Sequence, residues 1–249
     1  GVRFDRHPVI DRLRLRWGAP GGYAEFLRIA IPLILSTASW SIQHFVDRVF
    51  LTWYATDALA AALPAGMVNF IAASLFMGLA SYVNTFVAQY SGAGRDDRVG
   101  PAVWQGNYIA IAAGIVGLGV AGLAAPIFDL IGHDESIRAH EIVYFRVLCY
   151  GLAPLILATS LSCFYSGRGR TWSIFAVNAA ATAFNVVVNY ALIFGNFGAP
   201  EMGIEGAAWA TNASAAFACV LYLVLLARPR YRERYATFSG WRFDFKLFR

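Results

Sequence analysis

Six apolar runs, each long enough to cross a bilayer as a helix, constrain what these 249 residues can become. About 20 residues at a rise of about 1.5 Å each cover the hydrocarbon core. In lipid every backbone N–H and C=O must be satisfied within the chain. Long runs, in place of short alternating strands, predict an all-α fold: a polytopic membrane protein with a six-helix transmembrane bundle. The spans are expected at about 29–54, 63–90, 101–126, 142–164, 173–194 and 204–226. With 58% hydrophobic and 14% charged residues, the chain carries more apolar surface than an ordinary soluble domain needs.

A net charge of +5 raises the question of nucleic acid, and the placement of the charge answers it. All the Lys and Arg residues except Arg48, Arg138 and Arg146 fall before the first run, after the second, after the fourth or after the sixth. This is the positive-inside pattern, so it predicts a multi-pass protein of the plasma (inner) membrane with both termini cytoplasmic, and no nucleic-acid partner. The loops IGHDESIRAHE and GNFGAPEMGIEG, acidic on balance, are expected outside. No short signal-peptide core precedes the first run; the basic RHPVIDRLRLRW leads into a full-length span. The expected organisation is a cytoplasmic or interfacial segment over 1–26 with a break at Pro20-Gly21-Gly22, a six-span lobe over 27–227, and a basic cytoplasmic linker over 228–249. Pro154 is expected to kink the fourth span. Cys149, Cys163 and Cys219 lie in apolar runs without metal-ligand spacing and read as small buried hydrophobes.

One charge breaks the apolar pattern of the first run, IAIPLILSTASWSIQHFVDRVFLTWY. A carboxylate at mid-membrane costs about 2.5–3.5 kcal/mol on insertion scales, so Asp47 is expected to be paired, to line a cavity or to titrate. Ser36, Trp40, Gln43 and Asp47 recur at helical steps, with His44 three residues before Asp47, and Asn178, Thr182, Asn185 and Asn189 recur likewise in the fifth run. At about 1.5 Å per residue, Asp47 lies roughly 10 Å below the outer end of its span, Asn189 and Asn185 roughly 8 and 14 Å, and Thr211 of the sixth roughly 12 Å. One acid among amide and hydroxyl oxygens at a common depth suits a proton or a small hard cation such as Na⁺. The competing readings are helix glue for the amides and hydroxyls, worth about 0.6 kcal/mol each, and an ion pair with Arg48 for Asp47. Against that pair, adjacent helical residues point about 100° apart. Gln43 and His44 can be cavity liners or packing residues. His7, His44, His133 and His140 are scattered, and no nucleophile with a base, paired acids or metal cluster suggests an enzyme.

The stretches IAIPLILSTASWSIQHFVDRVFL, VNTFVAQYSGAGR, FYSGRGRTW, NVVVNYALIFG and GIEGAAWAT, in this order, resemble the multidrug and toxic compound extrusion (MATE) family. The resemblance implies a secondary antiporter that expels cationic, amphipathic, drug-like compounds in exchange for H⁺ or Na⁺, with no cofactor beyond that ion. It implies a cation site of Asp47, Asn185, Asn189 and Thr211, with Pro32 at a span 1 proline whose bending belongs to the transport cycle. Trp40, Gln43 and His44 are candidate cavity or coupling residues, and Trp40, Phe70 and Phe76 could line an apolar cavity for flat cations. An amide at Asn189, where some relatives have an acid, removes one negative charge and favours H⁺ over Na⁺. Family members have about twelve spans in two lobes, so these six resemble the N-terminal lobe, and a C-terminal lobe is the expected partner alongside membrane lipid. The sequence is then a piece of a longer chain, or two copies pair about an axis normal to the membrane. A lipid-linked saccharide flippase of the same superfamily is the alternative function.

Overall fold

A computed structural model describes residues 16–19 and 22–241. Most of the expected 1–26 segment, Pro20 and Gly21 of its break, and residues 242–249 of the linker lie outside the described residues. The ordered elements are helical, and no strand occurs among the described residues. They are α1 (Tyr23–Tyr54), α2 (Thr56–Gly92), α3 (Val99–Gly122), α4 (Ala124–Ile131), α5 (Glu135–Tyr150), α6 (Leu152–Ser166), α7 (Thr171–Phe194), α8 (Gly203–Leu226) and α9 (Pro229–Tyr235). A single 3₁₀ turn, Asp96–Arg98, precedes α3. The joints follow local chemistry: Gly132 and Gly195 end α4 and α7 in the left-handed conformation that only glycine adopts without strain.

Five helices, α1, α2, α3 (with its 3₁₀ turn), α7 and α8, are each long and apolar enough to cross a membrane, and α5 with α6, bent by 44° to one another, are together long and apolar enough for a sixth span. The bend lies at Gly151, three residues before the proline expected to cause it. Pro154 has no N–H to give the carbonyl of Tyr150, so the ladder opens one turn upstream of the ring. Asn212 of α8 fills the opening. Its Nδ2 donates to the Val147 carbonyl (2.6 Å), and its amide lies where a Cβ on residue 151 would stand. Glycine is required there by the neighbour.

Two aromatic and aliphatic clusters make up most of the interior. One, near the Tyr54 end of α1, includes Leu51, Ala61, Phe128, Tyr144, Phe145 and Ile204. The other, at the opposite end, includes Val87, Phe164, Tyr165, Tyr222 and Tyr235. The perimeter carries exposed Phe45, Ile71, Leu118 and Val224, the surface a bilayer solvates at no cost. Helix α7 packs between α1 and α8. This arrangement brings the polar faces of the first and fifth spans together.

The segment after α8 folds back on the bundle. Arg168 stacks on Phe164, Tyr231 and Tyr235 with its guanidinium carbon 4.1, 4.9 and 4.3 Å from the ring centres. Arg234 pairs with Asp96 (2.6 Å), and Trp104 Nε1 donates to the Thr237 carbonyl (2.8 Å).

Candidate functional site

Along α1 the residues turned inward are Pro32, Ser36, Ser39, Asp47 and Leu51, with Gln43 half-buried between them. These steps of three and four mark one helical face. The matching face of α7 carries Thr182, Asn185 and Asn189, all buried. Two bonds fix the register. Thr182 Oγ1 donates to the Ser39 carbonyl (3.4 Å), and Asn189 Nδ2 donates to Asp47 Oδ1. Partners separated by 143 and 142 residues define parallel helices, and the same offset sets Asn185 level with Gln43.

Asp47 is 6% exposed, and among the described residues it makes no ion pair. Arg48 points to the exposed side of α1, which removes the ion-pair reading of the carboxylate. Asn189 turns its nitrogen to Asp47, because an amide oxygen there would face a carboxylate oxygen. Its own Oδ1 is buried and has no partner. One turn away, Asn185 is fully buried with both Oδ1 and Nδ2 unpartnered. A buried polar group without a partner costs about 1–3 kcal/mol, so these atoms form a polar seam beside the acid: its two amide oxygens could face a bound cation, whereas the Asn185 N–H needs an acceptor. The donor set fits either a proton on the carboxylate or a hard cation held by carboxylate and amide oxygens.

Thr211 is set differently. It is half-buried on α8, and its hydroxyl donates to the Ala207 carbonyl of its own helix (3.1 Å). Its lone pairs remain free to accept, but no hydrogen bond ties it to Asp47. Trp40 stands apart from the inward face: it is 42% exposed and meets His44, also exposed, edge-on at 6.1 Å between ring centres. Ser39 takes the inward position that the four-residue step from Ser36 assigned to Trp40. Pro32 is buried within α1.

One neighbour escaped the sequence reading. Tyr144 of α5 is buried in the cluster that holds Leu51, one turn from Asp47. It lies on a helix with no polar stripe. The only signal is its place one turn after Glu141.

The polar seam sits inside a region matched by a known family profile, described as MatE, over residues 32–191. The chain belongs to the MATE family. Asp47, Asn185 and Asn189 fall within the matched residues and Thr211 beyond them. A probable multidrug resistance protein NorM of Synechocystis is 29% identical over 228 residues, covering 92% of this chain and 50% of that protein. The multidrug resistance protein PmpM of Pseudomonas aeruginosa is 27% identical over 235 residues, covering 94% and 48%. This MATE chain therefore spans about half the length of the curated relatives it matches. Among solved structures, MATE in complex with MaL6 superposes with a TM-score of 0.81 at 17% identity, over 95% of this chain and 51% of that one. The outward-facing conformation of a MATE transporter of the MOP superfamily gives 0.74 at 19% identity, over 95% and 51%. At such identity these structures establish the shared fold. The chain is a multi-pass integral membrane protein of a transporter family, and not an enzyme.

Proposed function

We propose that this MATE chain is the N-terminal lobe, over about 27–227, of a secondary antiporter that expels cationic, amphipathic compounds, driven by H⁺ or Na⁺ entering at Asp47. The observation that carries the reading is the Asp47 carboxylate: buried in a membrane span, without an ion-pair partner, and flanked by unpartnered amide atoms of Asn185 and Asn189. Asp47 holds the cation, Asn189 orients the carboxylate, and Asn185 supplies an amide group one turn away. Thr211 offers a hydroxyl oxygen from α8. The distribution of arginines supports a reading with both termini and α9 on the cytoplasmic side of the plasma membrane and the Tyr54 end of α1 outside.

Coupling follows from differential affinity. A cation bound from outside neutralises Asp47 and favours the conformation that releases the drug, and its loss inside restores the conformation that takes up the next. Pro32, which leaves the Arg28 carbonyl without its helical donor, gives α1 a point of bending within the buried face. Trp40, His44 and the half-buried Gln43 lie where α1 turns from that face to the exposed one, suited to a cavity wall shared with a C-terminal lobe.

The test is efflux of a fluorescent cationic dye from cells expressing the full-length gene, with H⁺ and Na⁺ gradients imposed separately. The wild type should expel the dye with one gradient and Asp47→Asn should not, at equal amounts in the membrane. Unchanged efflux in Asp47→Asn would remove the coupling role. No dye efflux from the wild type would point to the lipid-linked saccharide flippase.

A further inference from the structure

A second acid lies buried beyond the seam. Glu141 of α5 is 0% exposed, and its Oε1 meets Nδ1 of His133 at 2.7 Å. His133, in the turn between α4 and α5, is 42% exposed and reaches solution at the same end of the bundle as Tyr54. The other carboxyl oxygen, Oε2, is buried and unpartnered. One turn further along α5, on the same face, stands Tyr144, buried in the same cluster as Leu51, which lies one turn from Asp47 on α1. The surrounding interior is apolar, built of Leu51, Ala61, Phe128 and Phe145. A water-facing imidazole, a buried carboxyl and a buried phenol thus run inward from the surface toward the seam that holds Asp47.

The neighbouring charges are mostly exposed or paired with one another. Arg138 is spent on Asp129 of α4 (3.1 Å) and Glu135 (3.9 Å). At this end the other titratable groups are Arg48 and Tyr54 of α1, Asp57 in the first turn of α2, Asp134, His140 and Arg146 on or capping α5, Glu201 in the loop before α8, and Glu205 in its first turn, bonded by Trp209 Nε1 (3.3 Å). Helices α3 and α6 bring none here. A carboxyl buried at this cost beside a solvent-facing histidine, with one oxygen free, is more than a structural pair requires.

We propose that His133 and Glu141 are the proton entry of the transporter, conducting protons from the outside solution through Tyr144 to Asp47. The proposal rests on the coupling role of Asp47 given above and specifies the ion as H⁺. External water protonates Nε2 of His133, and the ring releases its Nδ1 proton to Oε1 of Glu141. The Glu141 carboxyl gives a proton over bridging water to the Tyr144 hydroxyl, which passes its own to Asp47. Glu141 and Tyr144 end as they began, the imidazole resets its tautomer against outside water, and one proton has moved from that water to Asp47.

The test uses the full-length protein in vesicles preloaded with a fluorescent cation, with an acid pulse outside. Glu141→Gln and His133→Ala should each slow proton-driven release about tenfold, a change of about 1.4 kcal/mol in the barrier. Dye exchange at equal pH on both sides should stay at the wild-type rate. Glu141→Asp and, for His133→Ala, added imidazole should restore proton-driven release. His133→Ala changes a half-exposed side chain, so it keeps the question open to a clear answer if Glu141→Gln folds poorly. Wild-type proton-driven rates in His133→Ala, or exchange falling in parallel with proton-driven release, would overturn the entry route. A wild-type rate in Asp47→Asn would overturn both the route and the coupling site it serves, whereas loss in Asp47→Asn alone would overturn only the route.

Discussion

Asn189 of α7 donates its side-chain N–H to the carboxylate of Asp47 on α1, joining two spans separated by 142 residues at a buried acid. The bond satisfies one oxygen of the carboxylate and leaves the charge uncompensated, an arrangement that holds the acid in place without neutralising it. Replacing the amide by an acid, Asn189→Asp, places two carboxylates together that share a cation between them. Dye efflux in this variant should respond more strongly to Na⁺ than the wild type does, measured by titrating external Na⁺ at constant pH.

Asn185 separates a ligand site from helix glue. Both its side-chain polar atoms are buried and unpartnered, at a cost of about 1–3 kcal/mol that an apolar residue of similar size avoids. Asn185→Leu should therefore keep or raise the melting temperature of the purified protein while lowering cation-driven efflux. A variant that loses stability and transport together would mark Asn185 as packing.

Gly206 governs how closely α8 approaches the site-bearing α7. A Cβ at this position would stand 2.6 Å from the Leu192 carbonyl oxygen and 2.7 Å from its carbon, and backbone cannot yield as a side-chain tip can. Gly206→Ala should destabilise the bundle by about 1–3 kcal/mol, as overpacking of a filled interior does, read as a lower melting midpoint in detergent. Gly119, with open space around its Cβ position, is the control: Gly119→Ala should leave the midpoint unchanged or raise it.

The fold-back of α9 depends more on Arg168 than on the surface ion pair. Three rings around one guanidinium contribute about 0.5–1 kcal/mol each, whereas an exposed pair such as Asp96 with Arg234 contributes about 0–1 kcal/mol. Arg168→Ala should raise hydrogen exchange across residues 229–241 clearly, and Asp96→Asn should raise it little.

Much of this was legible in the sequence because lipid as solvent makes the rules strict. Run lengths located the helices to within a few residues at most ends, and the rarity of acids in membrane spans singled out Asp47. Helical steps then put Asn185 and Asn189 on a common face. The same steps assigned Trp40 to the face of Asp47, but a face about a third of the circumference wide admits either Ser39 or Trp40 after Ser36, and packing against α7 selects the smaller serine. Tyr144 and the His133–Glu141 pair were invisible because contact between α5 and its neighbours has no local signature. The bend at Gly151 needed Asn212, a residue 61 positions away, to be explained.

The most direct test of the central claim is ion flux with drug flux in vesicles containing the full-length protein. Outward movement of a cationic dye should draw H⁺, or Na⁺, inward in fixed proportion in the wild type, and Asp47→Asn should abolish the coupled ion movement while dye still binds. Coupled ion movement of wild-type size in Asp47→Asn would contradict the account.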